Sequence, residues 1–405
     1  MKPLTLAVLG ILLSLTSPAL AQKSKKDWRV DPYTLNDSEA RKKAGYVTFD
    51  PKAWGDGHGP RAIRQQLGDI QMLWVETAHF RIASSLPAYS LSNDRKERDK
   101  IRKELAQLEQ RLPNLVAKKV RKLDPWLRLH LIAMRLENFY QEFQDRLGVS
   151  DQDFPTKAGT LVNNRYMGQG PYLGQQEKFT VMITAKASTM VRYTSTFCGW
   201  SLEVPKRHNF VRTGSLFFGT SIEFSDGAMK KDTALHCHLI FNVSHNILNA
   251  YRYYGHEIPL WYTEGMAHWF ARNVSPEYND FSQVEEYGAD TRATWNWPPK
   301  VYGRAKFEVY PASSKVFRWD NFDDMKFTDH MIIWSRCDYL MSLGNEKFAA
   351  FMNRMKDPIR TDGTLPTAAE VFTRHDEAFQ AAWKLTPEEF DTQWREWVLG
   401  HYPKK

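Results

Sequence analysis

Two helical segments joined by a short turn constrain the fold of this chain more than any other feature. Apolar residues recur at helical spacing over residues 235–248 and again over residues 258–270. Gly255 and Pro259 mark the turn between the two segments. Histidine and glutamate residues lie within both segments, so these helices are where we expect the chemistry of the protein.

The rest of the pattern predicts an α+β fold. β-branched and apolar residues at 179–184 and 215–224 predict strands of a small mixed sheet, and alternation over residues 76–84 predicts a half-buried strand. Helical spacing covers residues 101–112 and 126–147. We therefore expect helical N- and C-terminal portions around a small central sheet.

The first residues predict an export signal. Lys2 precedes an almost wholly apolar run from Leu4 to Leu15, and Ala19-Leu20-Ala21 forms a small-residue pattern after which cleavage is expected. This run is shorter than the roughly 20 residues that a membrane-spanning helix needs, and no later stretch approaches that length. We expect an exported protein, periplasmic or extracellular, with no transmembrane anchor after cleavage.

Composition shifts divide the chain into further regions. Pro, Gly and Asp residues between the signal and Gly68 indicate a loose polar leader. A capping box at Thr386, followed by Pro387, predicts the start of the last helix. The expected regions are a signal at 1–21, a leader at 22–70, a strand and helical region at 71–150, a β-containing region at 151–230, and the site helices with a helical tail at 231–405.

Charge and cysteine content exclude several classes of protein. The chain carries 55 basic and 47 acidic residues, a net charge of +8, and the opposite charges are interspersed. Its densest basic patches, at 23–29 and 118–122, lie in no recognisable nucleic-acid module, so we expect no nucleic-acid partner. Cys198, Cys237 and Cys337 allow at most one intramolecular disulfide, and spacing does not indicate which pair would form it.

The second helical segment begins with a specific motif, Pro259-Leu260-Trp261-Tyr262-Thr263-Glu264-Gly265-Met266-Ala267. It resembles the gluzincins, and specifically the peptidase-MA-like proteins, in which a helix carrying HExxH leads to a second helix that begins P-x-W-x-x-E-G-x-A. The resemblance implies a zincin-like core over roughly 76–401. It also implies that Glu264 stands at the third zinc ligand, and that His245, 19 residues earlier, stands at the second histidine of HExxH.

The HExxH motif itself is degenerate. Phe241 stands where the resemblance places the first histidine, and Asn242 stands where it places the catalytic glutamate. A phenyl ring has no lone pair for zinc, and a carboxamide cannot take a proton from water at neutral pH. The residues 256–260 begin His-Glu but lack the second histidine, and no other HExxH exists in the chain. The sequence therefore predicts lost catalysis and no cofactor, with bound zinc as the alternative.

Other side chains could replace the missing ligand. His238 lies seven residues before His245, two helical turns or about 10.5 Å away, so sharing one ion would be strained. A trio of His245, Glu264 and His268 is better spaced, because the last two are four residues apart on one helix. His330 falls where related proteins often place a tyrosine that steadies an oxyanion, and the alternative is a histidine at the edge of the core. We favour buried, hydrogen-bonded histidines in a relic site over metal ligation.

Three functional hypotheses follow. The preferred one is a pseudopeptidase whose cleft binds an extended polypeptide or an envelope component along a sheet edge. The rival is an active zinc metallopeptidase that uses His245, Glu264 and either His268 or His238, with an unusual base. The third is a structural envelope protein whose cleft has no ligand. Convergence of three donor atoms on one point would favour the rival, and Phe241 filling that point would favour the relic.

Overall fold

A five-stranded mixed sheet is flanked by helices on both faces in this computed structural model, which describes residues 27–51, 54–281, 296–360 and 364–405. The strands of the described chain are β1 (Leu73–Glu76), β2 (Phe80–Ser84), β3 (Tyr89–Ser90), β4 (Lys122–Leu123), β5 (Phe179–Thr184), β6 (Lys206–Phe210) and β7 (Ser215–Ser221). Its α-helices are α1 (Ser38–Lys43), α2 (Pro60–Gln66), α3 (Arg95–Glu109), α4 (Pro125–Leu147), α5 (Ala187–Phe197), α6 (Asp232–Ala250), α7 (Leu260–Val274), α8 (Trp297–Lys306), α9 (Ser313–Val316), α10 (Asp329–Ser342), α11 (Asn345–Met355), α12 (Ala368–Trp383) and α13 (Pro387–His401). The predicted α+β class is confirmed.

The sheet has the strand order β1-β2-β5-β7-β6. β2, β5 and β7 run parallel, and the outer strands β1 and β6 are each antiparallel to their neighbours. Alternate residues point to opposite faces, so Val181 packs into the core shared with α4 and α6, whereas Met182 packs with α5 on the other face. Within the described chain, β6 is the last strand on its side of the sheet.

The strand predictions are partly confirmed. Residues 179–184 form β5 as expected, and the run predicted at 215–224 ends earlier, at Ser221. The prediction of one half-buried strand over 76–84 is wrong, because the chain turns at Thr77 and forms the two antiparallel strands β1 and β2. β2 lies between β1 and β5, so it is mostly buried on both faces.

The N-terminal residues that the structure describes are packed, in contrast to the loose leader expected at 22–70. Asp31 and Trp54 are fully buried. The Nε2 atom of His130 on α4 lies 3.1 Å from Asp31 Oδ1, and Thr48 makes a β-bridge to Glu76. The expected signal at 1–21 lies outside the described residues.

A buried charge cluster fixes the start of α6 against the N-terminal helices. The Arg135 guanidinium on α4 contacts Glu104 of α3 and Asp232 of α6, each at 2.6 Å. No side chain of α6 caps its own N-terminus; instead, the Glu97 carboxylate on α3 accepts a 2.9 Å hydrogen bond from the Thr233 backbone N–H. α6 is therefore positioned by residues roughly a hundred or more positions earlier in the chain.

The turn between α6 and α7 is fixed by side chains from both sides. Asn249 accepts a 2.9 Å hydrogen bond from the Ile258 backbone N–H. Lys356, at the end of α11, donates 2.8 Å hydrogen bonds to the carbonyl oxygens of Asn249 and His256. These contacts bring the two helices of the site together, as the sequence pattern predicts.

Two general features complete the fold. Every helix in the described parts of the chain is too short or too polar to cross a lipid bilayer. Cys198, Cys237 and Cys337 are all free thiols, and the last two are buried.

Candidate functional site

Phe241 fills the space between the two site helices. Its side chain is fully buried. Its ring centroid lies 5.3 Å from that of His245, one turn along α6, and 4.9 Å from that of His268 on α7. The ring therefore occupies the region in which the family resemblance would place the first histidine ligand. The residues at the zinc positions of that family do not fit the ion, since a phenyl ring offers no donor atom.

Asn242 is held by two partners. Its Oδ1 accepts a 3.0 Å hydrogen bond from Arg207 on β6, and its Nδ2 donates a 3.0 Å hydrogen bond to the backbone carbonyl of His238. Both ends of the carboxamide are thus engaged, and neither can serve as a general base.

His238 points away from His245. Its Nε2 lies 2.8 Å from Thr220 Oγ1 on β7, and its Nδ1 contacts the carboxylate of Asp280. The alternative pairing of His238 with His245 around one ion does not form, because both ring nitrogens face the sheet and Asp280.

His245 and Glu264 face each other across the two helices. The His245 Nε2 atom lies 2.8 Å from Glu264 Oε2. Burial alone would raise the pKa of the Glu264 carboxyl, but its interactions with His245, His330 and His268 outweigh burial and hold the pKa below its usual value. Burial lowers the pKa of His245, and the charge of Arg207 lowers it further, although Glu264 acts in the opposite direction. Each of the two groups therefore shifts the pKa of the other toward the charged form, and burial opposes both shifts.

A second set of donor atoms converges behind this pair. One donor atom from each of Glu264, His268 and His330 lies within 4.8 Å of the other two, and all three residues are buried. His268 Nε2 lies 2.8 Å from His330 Nδ1, which lies 4.0 Å from Glu264 Oε1. The expected trio of His245, Glu264 and His268 is thus altered, because His330 from α10 takes the third place and His245 stays on the cleft side of Glu264.

The position of His330 depends on a close approach of α7 and α10. A Cβ atom at Gly265 would lie 2.8 Å from the Ile333 carbonyl oxygen and 2.6 Å from Cys337 Sγ. Only glycine allows this separation of the two helices. Since His330 and Ile333 are three residues apart on α10, they share one face of that helix, and His330 is directed at α7.

A cleft of about 670 Å³ lies in front of the site. It runs between the edge strand β6, the C-terminal half of α6 and the first turn of α12, and its lining includes Arg207, His245 and Ala368. His245 is the member of the site that reaches this lining, whereas Glu264 and His268 are buried behind it. The His245 imidazole and the Arg207 guanidinium are therefore the charged or titratable groups of the site that line the cleft.

Two contributors to this site carry no recognisable signal in the sequence. Arg207 lies in the polar stretch Lys206–Phe210, which has none of the alternation typical of a strand, and its partner Asn242 is 35 residues away. Asp280 follows α7 as an isolated acidic residue. Trp297 is also part of the surroundings of the site: it is buried, with its ring 5.0 Å from that of His268.

Comparison with known proteins adds no further constraint. No protein-family model matches this chain, and no curated protein sequence matches it.

Proposed function

We propose that this protein has a gluzincin-like core that has lost peptidase chemistry, and that it acts as an exported polypeptide-binding protein. The observation that carries the proposal is the buried ring of Phe241, which lies between His245 and His268. An imidazole at this position could share an ion with His245 and Glu264, and a phenyl ring cannot.

The missing base supports the same conclusion. Hydrolysis by a zinc peptidase needs a group that takes a proton from the attacking water. Asn242 stands at that position, and its amide is held by Arg207 and the His238 carbonyl. An active hydrolase would need a different base beside the ion, so the rival hypothesis is less well supported than the relic.

The cleft supports a binding role. β6 is the last strand of the sheet in the described chain and lines the cleft, so an extended polypeptide can add to its outer edge through backbone hydrogen bonds. Side chains on α6 and at the start of α12 then contact alternate side chains of the bound segment. An extended polypeptide fits this surface because an edge strand and a groove lie side by side there.

Hydrogen exchange and fluorescence anisotropy test the proposal with a reduced, carboxymethylated unfolded protein as the probe. We expect the probe to slow amide exchange in Lys206–Phe210 and to leave exchange in Pro387–His401 unchanged. Ala368→Trp should lower the affinity at least about tenfold by filling the cleft. Ala369→Trp is the matched control, because that neighbouring residue is exposed and lies outside the cleft lining.

Two outcomes would contradict the proposal. One is unchanged exchange in β6 at saturating probe. The other is hydrolysis of the probe that disappears in Glu264→Ala, which would establish the active alternative.

A further inference from the structure

We propose that Glu264, His268 and His330 form a relocated, structural zinc site that joins α7 to α10, behind the cleft and distinct from the lost HExxH position. This inference does not depend on polypeptide binding. Its observation is the convergence of two imidazoles and one carboxylate in a buried space. Two histidines and a glutamate are an established set of protein ligands for zinc, with a water molecule as the fourth ligand.

The distances fit an ion after small adjustments. In a tetrahedral site with metal–ligand bonds of roughly 2.0–2.1 Å, donor atoms lie about 3.3 Å apart. The observed separations are 2.8 Å between His268 Nε2 and His330 Nδ1, and 4.0 Å between His330 Nδ1 and Glu264 Oε1. These two values bracket the ideal one, and the third separation, between the donor atoms of His268 and Glu264, is within 4.8 Å, so the donor atoms would have to move by about 1 Å to meet one ion.

The arrangement of the helices preorganises the ligands. Glu264 and His268 are one turn apart on α7, so their side chains project from the same face. Gly265 lies between them in sequence and allows α10 to approach, which directs the third ligand at the same point. Ligands from two packed helices are held more rigidly than ligands from loops.

The side of the trio formed by His268 is lined by aromatic rings. The His268 ring has the rings of Phe241, Phe281 and Trp297 at centroid distances of 4.9, 5.6 and 5.0 Å. The Glu264 carboxylate already contacts His245 through Oε2, and a divalent cation would add a second partner on the side of His268 and His330. Because His245 and Phe241 separate the trio from the cleft, the ion would stabilise the fold and would not reach a bound polypeptide.

The first experiment measures zinc binding by the full chain. We expect one zinc per protein by native mass spectrometry, and a melting temperature that rises with free zinc concentration. X-ray absorption at the zinc edge should show two imidazoles and one carboxylate at about 2.0–2.2 Å. This measurement needs no variant, so a variant that fails to fold leaves the proposal testable.

Matched glutamine variants assign the ligands. His268→Gln and His330→Gln should each weaken zinc binding by more than the roughly 10–100-fold that loss of an outer-shell partner costs. His375→Gln on α12 is the control, because His375 is equally buried and lies outside the trio. The proposal is overturned if the wild-type chain binds no zinc, which would leave a hydrogen-bonded histidine pair only, or if His330→Gln binds zinc as tightly as the wild type.

Discussion

Single side chains at the α6–α7 turn owe their protonation states to burial. The His256 Nε2–H group donates a 3.0 Å hydrogen bond to the Met355 carbonyl. Burial lowers the pKa of His256 to about 3, and the neighbouring Lys356 charge contributes in the same direction. Burial also lowers the pKa of Lys356, to about 7. This turn therefore holds a neutral imidazole against a lysine that donates to backbone carbonyls.

The lowered pKa of His256 predicts a pH dependence of stability. The imidazole has a pKa of about 3 in the folded protein and its ordinary value of 6.5 in the unfolded chain, so between these values only the unfolded chain binds the proton. Titration of His256 therefore leaves the free energy of unfolding unchanged above pH 6.5 and lowers it as the pH falls toward 3. From about pH 7 to about pH 4, the wild type should lose roughly 2 kcal/mol more unfolding free energy than His256→Gln, a value reduced for partial exposure. Equal losses in urea titrations of both proteins would contradict this assignment.

At the scale of elements, the packing of α7 against α10 determines where the buried trio forms. The two helices meet at Gly265, beside the Ile333 carbonyl and the Cys337 thiol. Glu264 and His268 precede and follow this contact on α7, and His330 lies one turn before Ile333 on α10. A change in the separation of the helices would therefore move two ligands relative to the third.

Gly265→Ala should separate these helices. The added methyl group would lie 2.6 Å from Cys337 Sγ and 2.8 Å from the Ile333 oxygen, and the backbone would have to move to relieve the second contact. We expect unfolding free energy to fall by roughly 1–3 kcal/mol in urea titrations. Gly303→Ala in α8 is the control, since nothing lies within 4 Å of the added atom. If Gly265→Ala were as stable as the wild type, the two helices would separate without any loss of unfolding free energy.

At the scale of the whole molecule, one buried charge cluster connects the N-terminal helices to the site. Arg135 is almost fully buried and contacts the carboxylates of both Glu104 and Asp232. Burial lowers the pKa of Arg135, but both carboxylates outweigh it and the net pKa is raised. Because Asp232 is the first residue of α6, this cluster connects the region expected at 71–150 to the site helices.

Removal of the arginine should destabilise the whole fold. Arg135→Met would leave the buried Asp232 carboxylate without its paired cation and Glu104 with Lys100 alone, and we expect a loss of roughly 3–5 kcal/mol in unfolding free energy. Arg95→Met on α3 is the control, because its ion pair with Asp99 is exposed and should be worth less than about 1 kcal/mol. Tryptophan fluorescence and circular dichroism should report one shared transition. A loss confined to the N-terminal helices would show that the two regions unfold independently.

The helices with local signals could be predicted from the sequence. Asp124 caps α4 through the Leu127 N–H group, and Gly148 ends it at a φ of 65°. The Thr386 capping box starts α13 as predicted. The positions of Phe241 and Asn242 could also be assigned from the sequence alone, by counting back from His245 along the HExxH motif of the family that the chain resembles. These features depend on neighbours within a few residues, and such neighbours are visible in the sequence.

The tertiary structure decided the rest. The strand that contributes Arg207 has a polar sequence and exists because its backbone pairs with β7. The third member of the trio is His330, 62 residues after His268, and only the glycine contact between two helices brings them together. Side chains far apart in sequence meet through packing of the whole chain, so local pattern determined the helices, and long-range packing determined the cleft and the buried trio.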